Sequence, residues 1–483
     1  MTLPRSLLLA GTASAVLLGA CSTVGPDFAP PQPPAASGYA MAGDTAPAAA
    51  AVGEAVAGDW WSLYRSPKLD RMVRQAIAGN ASLEAARATL AQARHAIEAQ
   101  DPKLRIDANA SVTHERINFA AFGLTEFPGS GEAVENPEVT LYSFGLNGGY
   151  DLDLFGRHRR EAEALVAKAE AQAFQTDAAY MTLTAQVVGQ AINVASLNGQ
   201  ISALEDVVAG DRRNLKLAQD AFRLGGATRL DVASAEQQLA EDEAAITPLR
   251  NQLGASRHAL ALLAGAAPAD FTPEDFTLAD FAQPARVPVS LSSALVRARP
   301  DIRAAEARFH AATAQIGVAE ADLYPKVSLT AAIAQTALAP LKLFSYDSTG
   351  WSVGPALSVP LFGRKQLKAR RAMAEDAARG ALADYRQVVL EAFVQVSDSL
   401  EALALDDQAI AQQTRALDAA SETLELARLR YDGGKTGLLP VLDAQRAYAR
   451  ARQALARAQA QRLRDAAQLL YAAGAPWQEA SAV

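Results

Sequence analysis

Few side chains in this 483-residue sequence have the type and spacing for covalent or coordination chemistry. Its one thiol is Cys21, and a single cysteine excludes an intramolecular disulfide framework or a cysteine-rich metal site. The histidines His95, His114, His158, His258 and His310 lie far apart, with no His-x-x-x-His pair to hold zinc. There is no glycine-rich phosphate loop, nucleophile elbow or clustered carboxylate motif. The chain is therefore read as a non-enzyme, with no catalytic residue, no metal site and no cofactor. Its 53 acidic against 45 basic residues give a formal charge of −8, whereas a nucleic-acid binder would show a basic surplus.

What surrounds Cys21 says what that thiol is for. Arg5 supplies a positive start, and Leu7 to Leu18 is an apolar stretch too short to span a bilayer. Leu18-Gly19-Ala20-Cys21 resembles the lipobox cut by lipoprotein signal peptidase. Residues 1–20 are then a signal peptide, and Cys21 becomes the first residue, carrying diacylglycerol and an N-acyl chain. Ser22, where Asp would retain such a lipoprotein at the inner membrane, implies the outer membrane. Each buried CH₂ contributes roughly 0.8 kcal/mol, so several chains anchor firmly. An ordinary signal peptide with a chance cysteine is the alternative. Residues 21–60, rich in Pro, Ala and Gly, read as an extended leader. After residue 20 no apolar run reaches 18 residues, so a membrane-spanning form must be a closed barrel.

Behind the leader the chain is written twice. Leu154-Phe155-Gly156-Arg157 recurs 207 residues on as Leu361-Phe362-Gly363-Arg364. Phe222 to Gly225 followed by Leu230-Asp231-Val232 recurs 209 residues on as Tyr431 to Gly434 followed by Leu439-Pro440-Val441. Between these landmarks apolar residues return every seven positions. The first copy has Tyr180, Val187, Val194, Ile201, Val208, Leu215 and Phe222; the second has Leu382, Val389, Val396, Leu403, Ile410, Leu417, Leu424 and Tyr431. Sustained sevens are a coiled-coil signal. Residues 157–222 and 364–431 contain no proline, so each is expected to run as one helix of roughly 100 Å. Return helices are expected over 230–264 and 439–473.

Just before each long helix the period changes to two. Leu104, Ile106, Ala108, Ala110 and Val112 alternate with Arg105, Asp107, Asn109, Ser111 and Thr113. Tyr142 to Leu152 alternates in the same way with Ser143 to Asp153, and the second copy repeats the pattern from Lys326 and from Trp351 to Leu361. Strands of about ten residues, apolar against polar, suit an outer-membrane barrel. Pro355 is out of keeping, since proline cannot donate to a ladder. Four strands cannot close alone. Two chains would give eight, with an interior filled by side chains, and three give twelve with an open lumen.

The residues also carry a resemblance. Cys21 to Pro30, Trp60-Trp61, Leu69, Ala76, Asn80 and Leu83 are similar to the start of outer-membrane efflux lipoproteins. So are Arg299-Pro300-Asp301-Ile302, Ala305-Glu306 and Tyr324-Pro325 at the start of the second copy. Gly354-Pro355, Pro360-Leu361-Phe362-Gly363, and Tyr431, Gly434, Leu439 and Leu442-Asp443-Ala444-Gln445 complete the set. Together they resemble the TolC-like outer-membrane factor family, in its NodT/OprM-type lipoprotein branch. The resemblance implies a membrane α+β fold: a homotrimeric channel-tunnel with four strands per chain, a shared 12-stranded barrel and a periplasmic helical coiled-coil barrel. It also implies a periplasmic adaptor and an inner-membrane pump of the RND type as partners, with outer-membrane lipid around the barrel.

On that pattern, repeat 1 occupies 61–270 (hairpin 104–153), an equatorial linker 271–298, repeat 2 299–473 (hairpin 325–362), and a C-terminal tail 474–483. The turns Leu224-Gly225-Gly226-Ala227-Thr228 and Gly433-Gly434-Lys435-Thr436 would form the adaptor-contacting tip. Leu439, Asp443 and Arg446, on one helix face by their spacing, match positions that line the family's tip constriction. Three copies of Asp443 would make a negative ring, and a solvated Asp–Arg pair is the plainer reading. Asp231 matches a latch position whose usual arginine partner falls on Thr436, leaving Arg229 or Lys435 to substitute. Asp107, Asn109, Ser143, Asn147 and Asp151 would face the lumen. Segments 116–138, with Phe119, Phe122 and Phe127, and 337–349 would be outer loops. Phe271, Phe276, Phe281 and the end near Trp477 would wrap the waist. Beside an efflux duct, a type I protein-secretion duct and a poreless periplasmic scaffold stay open.

Overall fold

The computed structural model describes residues 23–32, 39, 50–52, 56–100, 103–123, 136–284, 287–289 and 292–474. In chain order the elements are β1 (Ala50–Val52), α1 (Pro67–Gly79), α2 (Ala81–Glu98), β2 (Leu104–Arg116), β3 (Glu138–Asp151), α3 (Arg157–Arg223), α4 (Arg229–Leu263), β4 (Val287–Val289), α5 (Ser292–Ala298), α6 (Pro300–Ala321), β5 (Lys326–Ala337), β6 (Thr349–Ser358), α7 (Arg364–Asp432) and α8 (Leu439–Ala473). They gather into two compact units. One comprises residues 1–30, 94–168 and 308–381, the other 31–93, 169–307 and 382–483. No helix among the described residues is long and apolar enough to cross a membrane.

The first unit is built on a four-stranded antiparallel sheet in the order β2-β3-β5-β6. Its register keeps the alternation coherent across all four strands. Ala108 pairs with Leu146, Leu146 with Ile333 and Ile333 with Trp351. The neighbouring row runs Asp107, Asn147, Ala332, Ser352. One face is therefore apolar and the other polar or small. The first hairpin pairs beyond the alternating stretch to Arg116 opposite Glu138, a cross-strand pair of opposite charge. Pro355 lies in β6, an edge strand of this sheet, where a missing N–H is tolerated. The alternation overran two strand ends. β6 stops at Ser358, before Val359 and Leu361, and β3 stops at Asp151. Asp153, with φ 50°, has left the strand. Its buried carboxylate accepts the His158 and Arg159 N–H groups at 3.0 and 3.2 Å, satisfying orphan donors of the first turn of α3.

The start of the leader is seated in this unit. Arg160, itself buried, donates to the carbonyls of Val24 and Gly25 and pairs with Asp27 at 2.7 Å. Phe28 stacks on His310 with ring centroids 4.2 Å apart. Gly25, at φ +88°, lies so close to Gly317 that a Cβ would sit 2.5 Å from its Cα. Only glycine fits that approach.

The second unit holds the main apolar core. Positions spaced by seven point into it: Tyr180, Val187, Val194 and Ile201 on α3 and Val389, Val396 and Leu403 on α7. Val208 and Leu424 are buried in two smaller clusters, while Phe222 at the turn is exposed. Several residues that carried the resemblance prove to be packing and capping groups. Trp60 and Trp61 are buried, and the Trp60 indole donates to Thr184 at 3.3 Å. Asn80 Oδ1 accepts the N–H groups of Ser82 and Leu83 at the head of α2. Arg299 is buried and donates to the Ala472 carbonyl at 2.9 Å.

The segment after α4 carries more structure than its composition announced. Phe276 and Phe281 are buried, with Tyr64 edge-on to Phe281 at 6.2 Å. β4 pairs in parallel with β1 of the leader, and α5 follows. Trp477 lies outside the described residues.

Candidate functional site

The two helix-reversing turns lie in the second unit and stop their helices in the same way. In the first, Gly225 takes φ +76°, and the Gly226 N–H reaches back to the Ala221 carbonyl at 2.8 Å. In the second, Gly434 takes φ +68°, and the Lys435 N–H reaches the Arg430 carbonyl at 2.9 Å. Both are helix stops that use a left-handed glycine to satisfy terminal carbonyls. Behind them one small apolar cluster ties four helix ends together: Ala218 of α3, Val232 and Ala235 of α4, Leu424 of α7, and Leu438, Val441, Leu442 and Ala444 at the head of α8. The turn residues remain outside it, and Leu224 is 88% exposed.

The face of α8 opposite that cluster carries the residues expected at a constriction. Leu439 is exposed, and exposed Asp443 pairs with half-buried Arg446 at 3.6 Å as an i, i+3 couple. Asp231 is held at the start of its own helix. Its carboxylate accepts both the N–H and the hydroxyl of Thr228 at 2.7 Å, while its own N–H donates to Thr228 Oγ1 at 3.2 Å. This capping box holds the Asp231 carboxyl below its usual range, through the Thr228 backbone bond first and the hydroxyl second. Arg229 turns instead to Glu236 at 3.7 Å. Thr436, where the family pattern has an arginine, buries its hydroxyl without a hydrogen-bond partner.

Sequence reasoning missed a polar layer behind Arg446. Asp211 on α3 is 2% exposed. Its Oδ1 accepts from Gln445 Nε2 at 3.3 Å, and its Oδ2 is buried on the side of the Asp242 carboxyl of α4. Gln445 also donates to the Val207 carbonyl and accepts from Asn214, both at 3.0 Å. It can approach because position 210 is glycine, where a Cβ would meet its amide at 2.1 Å. Burial first, then the Asp242 carboxyl, pushes Asp211 up to about 7, with Arg446 opposing. The available signal was a carboxylate three residues after Val208, at the second seam position of a heptad.

On the sheet, Asp107, Asn109, Ser143, Asn147 and Asp151 occupy the polar rows, and Asn147 donates to Asn109 at 3.1 Å. Phe119 and Phe122 fall in a short 3₁₀ turn after β2. Phe127 and the acylation candidate Cys21 lie outside the described residues.

Comparison with known proteins agrees with this fold. A sequence model of the family described as outer membrane efflux protein matches residues 72–266 and 291–475, one match to each copy of the duplication. The chain is 28% identical over 480 residues to the pyoverdine export outer membrane protein OpmQ of Pseudomonas putida strain KT2440, covering 99% of both chains. It is 28% identical to the solvent efflux pump outer membrane protein SrpC of Pseudomonas putida, covering 96% of this chain and 97% of that one. Among solved structures it superposes on the outer-membrane channel OprN with a TM-score of 0.83 and 29% identity, over 95% of this chain and all of that one. The duplicated channel-tunnel fold and the two-part match mean that this chain belongs to the outer membrane efflux protein family and is an outer-membrane channel component of an efflux system.

Proposed function

We propose that three copies of this chain pool their sheets into a 12-stranded barrel and form a passive exit duct for small molecules, fed by an inner-membrane pump of the RND type through a periplasmic adaptor. The observation that carries this is the open four-stranded sheet. β2 and β6 are unpaired edges among the described residues, one face is apolar and the other polar. In hydrocarbon every edge must be paired, and three such sheets close around a polar lumen. The relatives' names, pyoverdine export and solvent efflux, favour small molecules over secreted proteins as cargo.

The roles of individual residues belong to the same proposal. Leu224, Gly225, Gly226, Ala227, Thr228, Gly433, Gly434, Lys435 and Thr436 meet the adaptor, supported by the exposure of Leu224. Leu439, Asp443 and Arg446 line the constriction, with Asp231 beside it. Cys21 carries the lipid. The seated leader supports that role: Thr23, two residues on, lies against Gly156 at the junction of β3 and α3, so the acylated sulfur is tethered within about 7 Å of chain. The repeat bounds 61–270 and 299–473, with the linker between them, belong to the proposal as well. The duct performs no chemistry of its own.

Native mass spectrometry of the detergent-extracted protein tests the assembly. Three copies are expected, and a monomer would overturn it. Photo-cross-linking from position 224 in cells that retain pump and adaptor is expected to capture the adaptor; capture of none would remove the tip from that role.

A further inference from the structure

The buried layer behind the constriction has a shape that the duct itself does not require. Asp211 and Asp242 face each other from the antiparallel helices α3 and α4, and the Asp242 carboxyl is further bonded by Gln238. Gln445 is buried and fixed by three hydrogen bonds, which holds Asp211 in place from α8. The next residue, Arg446, reaches Asp443 only at 3.6 Å, and its own Nε is buried without a partner. Two neighbouring charges on α3 are engaged. Arg212 pairs with Glu243 across α3 and α4 at 2.6 Å, and Asp206 pairs with Arg452 of α8 at 2.6 Å. On α7, Glu425, Arg428 and Asp432 line a groove of about 600 Å³ with Asp206 and Arg213. Arg446 thus stands within electrostatic reach of Asp211 on one side and pairs with the constriction carboxylate on the other.

We propose that the Asp211–Asp242 pair, by holding or releasing one proton, sets how far Arg446 neutralises Asp443, so that the cation preference of the constriction is proton-controlled. Two facing carboxyls cannot both ionise at small cost, so the pair keeps one proton between them. When that proton leaves to water, the pair carries two negative charges instead of one and draws the guanidinium toward α3. Asp443 is then left uncovered, and three uncovered copies favour cations more strongly. Asp211 and Asp242 are positioning residues here, because they act on the pore only through Arg446. This rests on the reading that Asp443 lines the constriction.

The test is the reversal potential of full-length protein in planar bilayers under a KCl gradient, from pH 5 to pH 8.5. The wild type is expected to become more cation-selective as pH rises through neutrality. Asp211→Asn and Asp242→Asn fix the pair at one charge or fewer. Each is expected to lose the step and keep the weaker, low-pH selectivity throughout. Arg446→Gln is expected to lose the step in the opposite sense, staying cation-selective at every pH. Asp406→Asn is a control that keeps the step, because that carboxyl faces Asp465 at a distant level of α8. If Asp443→Asn leaves selectivity unchanged, the constriction reading fails. If Asp443→Asn lowers selectivity while the step survives in either carboxyl variant, the proton control alone fails. Should one carboxyl variant not assemble, the other and Arg446→Gln still decide the outcome.

Discussion

The two helix-reversing turns stop alike and restart differently. Each long helix ends on a left-handed glycine with the same backbone bond to the helix behind it. At the first restart, Thr228 and Asp231 close a capping box over the opening turn of α4. At the second, the residue before α8 is Leu438, whose side chain makes no cap, and Pro440 removes one of the orphan donors instead. The head of α8 is therefore held by burial of Leu438, Val441 and Leu442, whereas the head of α4 is held by directed hydrogen bonds. The duplication has kept the geometry that reverses the chain and has let diverge what fixes the helix that bears Asp443.

Substitutions at five positions and one change of condition can break or sharpen this contrast. The largest effect is expected from Leu442→Ala. Removing a buried leucine costs about 2–5 kcal/mol, and the loss should appear as faster amide exchange in the first turns of α8. Equal loosening of α4 would mean that the two restarts are not independent. Gly225→Ala and Gly434→Ala should each cost about 1–2 kcal/mol, because both sites have positive φ. Near-equal costs, read from thermal unfolding, would confirm that the stops are equivalent. Thr228→Ala should cost about 1 kcal/mol and speed exchange at the head of α4, with Thr228→Ser restoring most of it. Thr436→Ala, which removes a hydroxyl without a partner, should cost less. The smallest effect is that of acid. The folded Asp231 carboxyl ionises below its ordinary 3.8, so its contribution is complete above that pH and is lost as pH falls through the lower folded value. Exchange at the head of α4 should quicken there, beyond the intrinsic pH trend, while the head of α8 shows no such component.

Much of this was legible because the patterns are long. Seven-residue spacing over six or more repeats left little choice for α3 and α7, and the alternation in four strands showed which residues share a face, while the register came only from the structure. Strand ends were less legible, since Asp153 continues the alternation while its carboxylate caps a helix. The short β1–β4 pair was not legible, because three residues carry no period. The Asp211–Asp242–Gln445 layer was hidden for a different reason: its members are distant in sequence and meet only when α3, α4 and α8 pack. For Asp231, the family resemblance suggested a latch, and in the structure the carboxylate is bonded to its own N-cap. A polar residue at a helix start serves the helix before it serves a partner.

The central claim, that three open sheets make one pore, is tested most directly by single-channel recording of the purified assembly in planar bilayers. The account predicts discrete, cation-preferring conductance steps whose size grows when Asp443 is replaced by Ala. Sheet-containing assemblies that insert and carry no current, in either form, would contradict it.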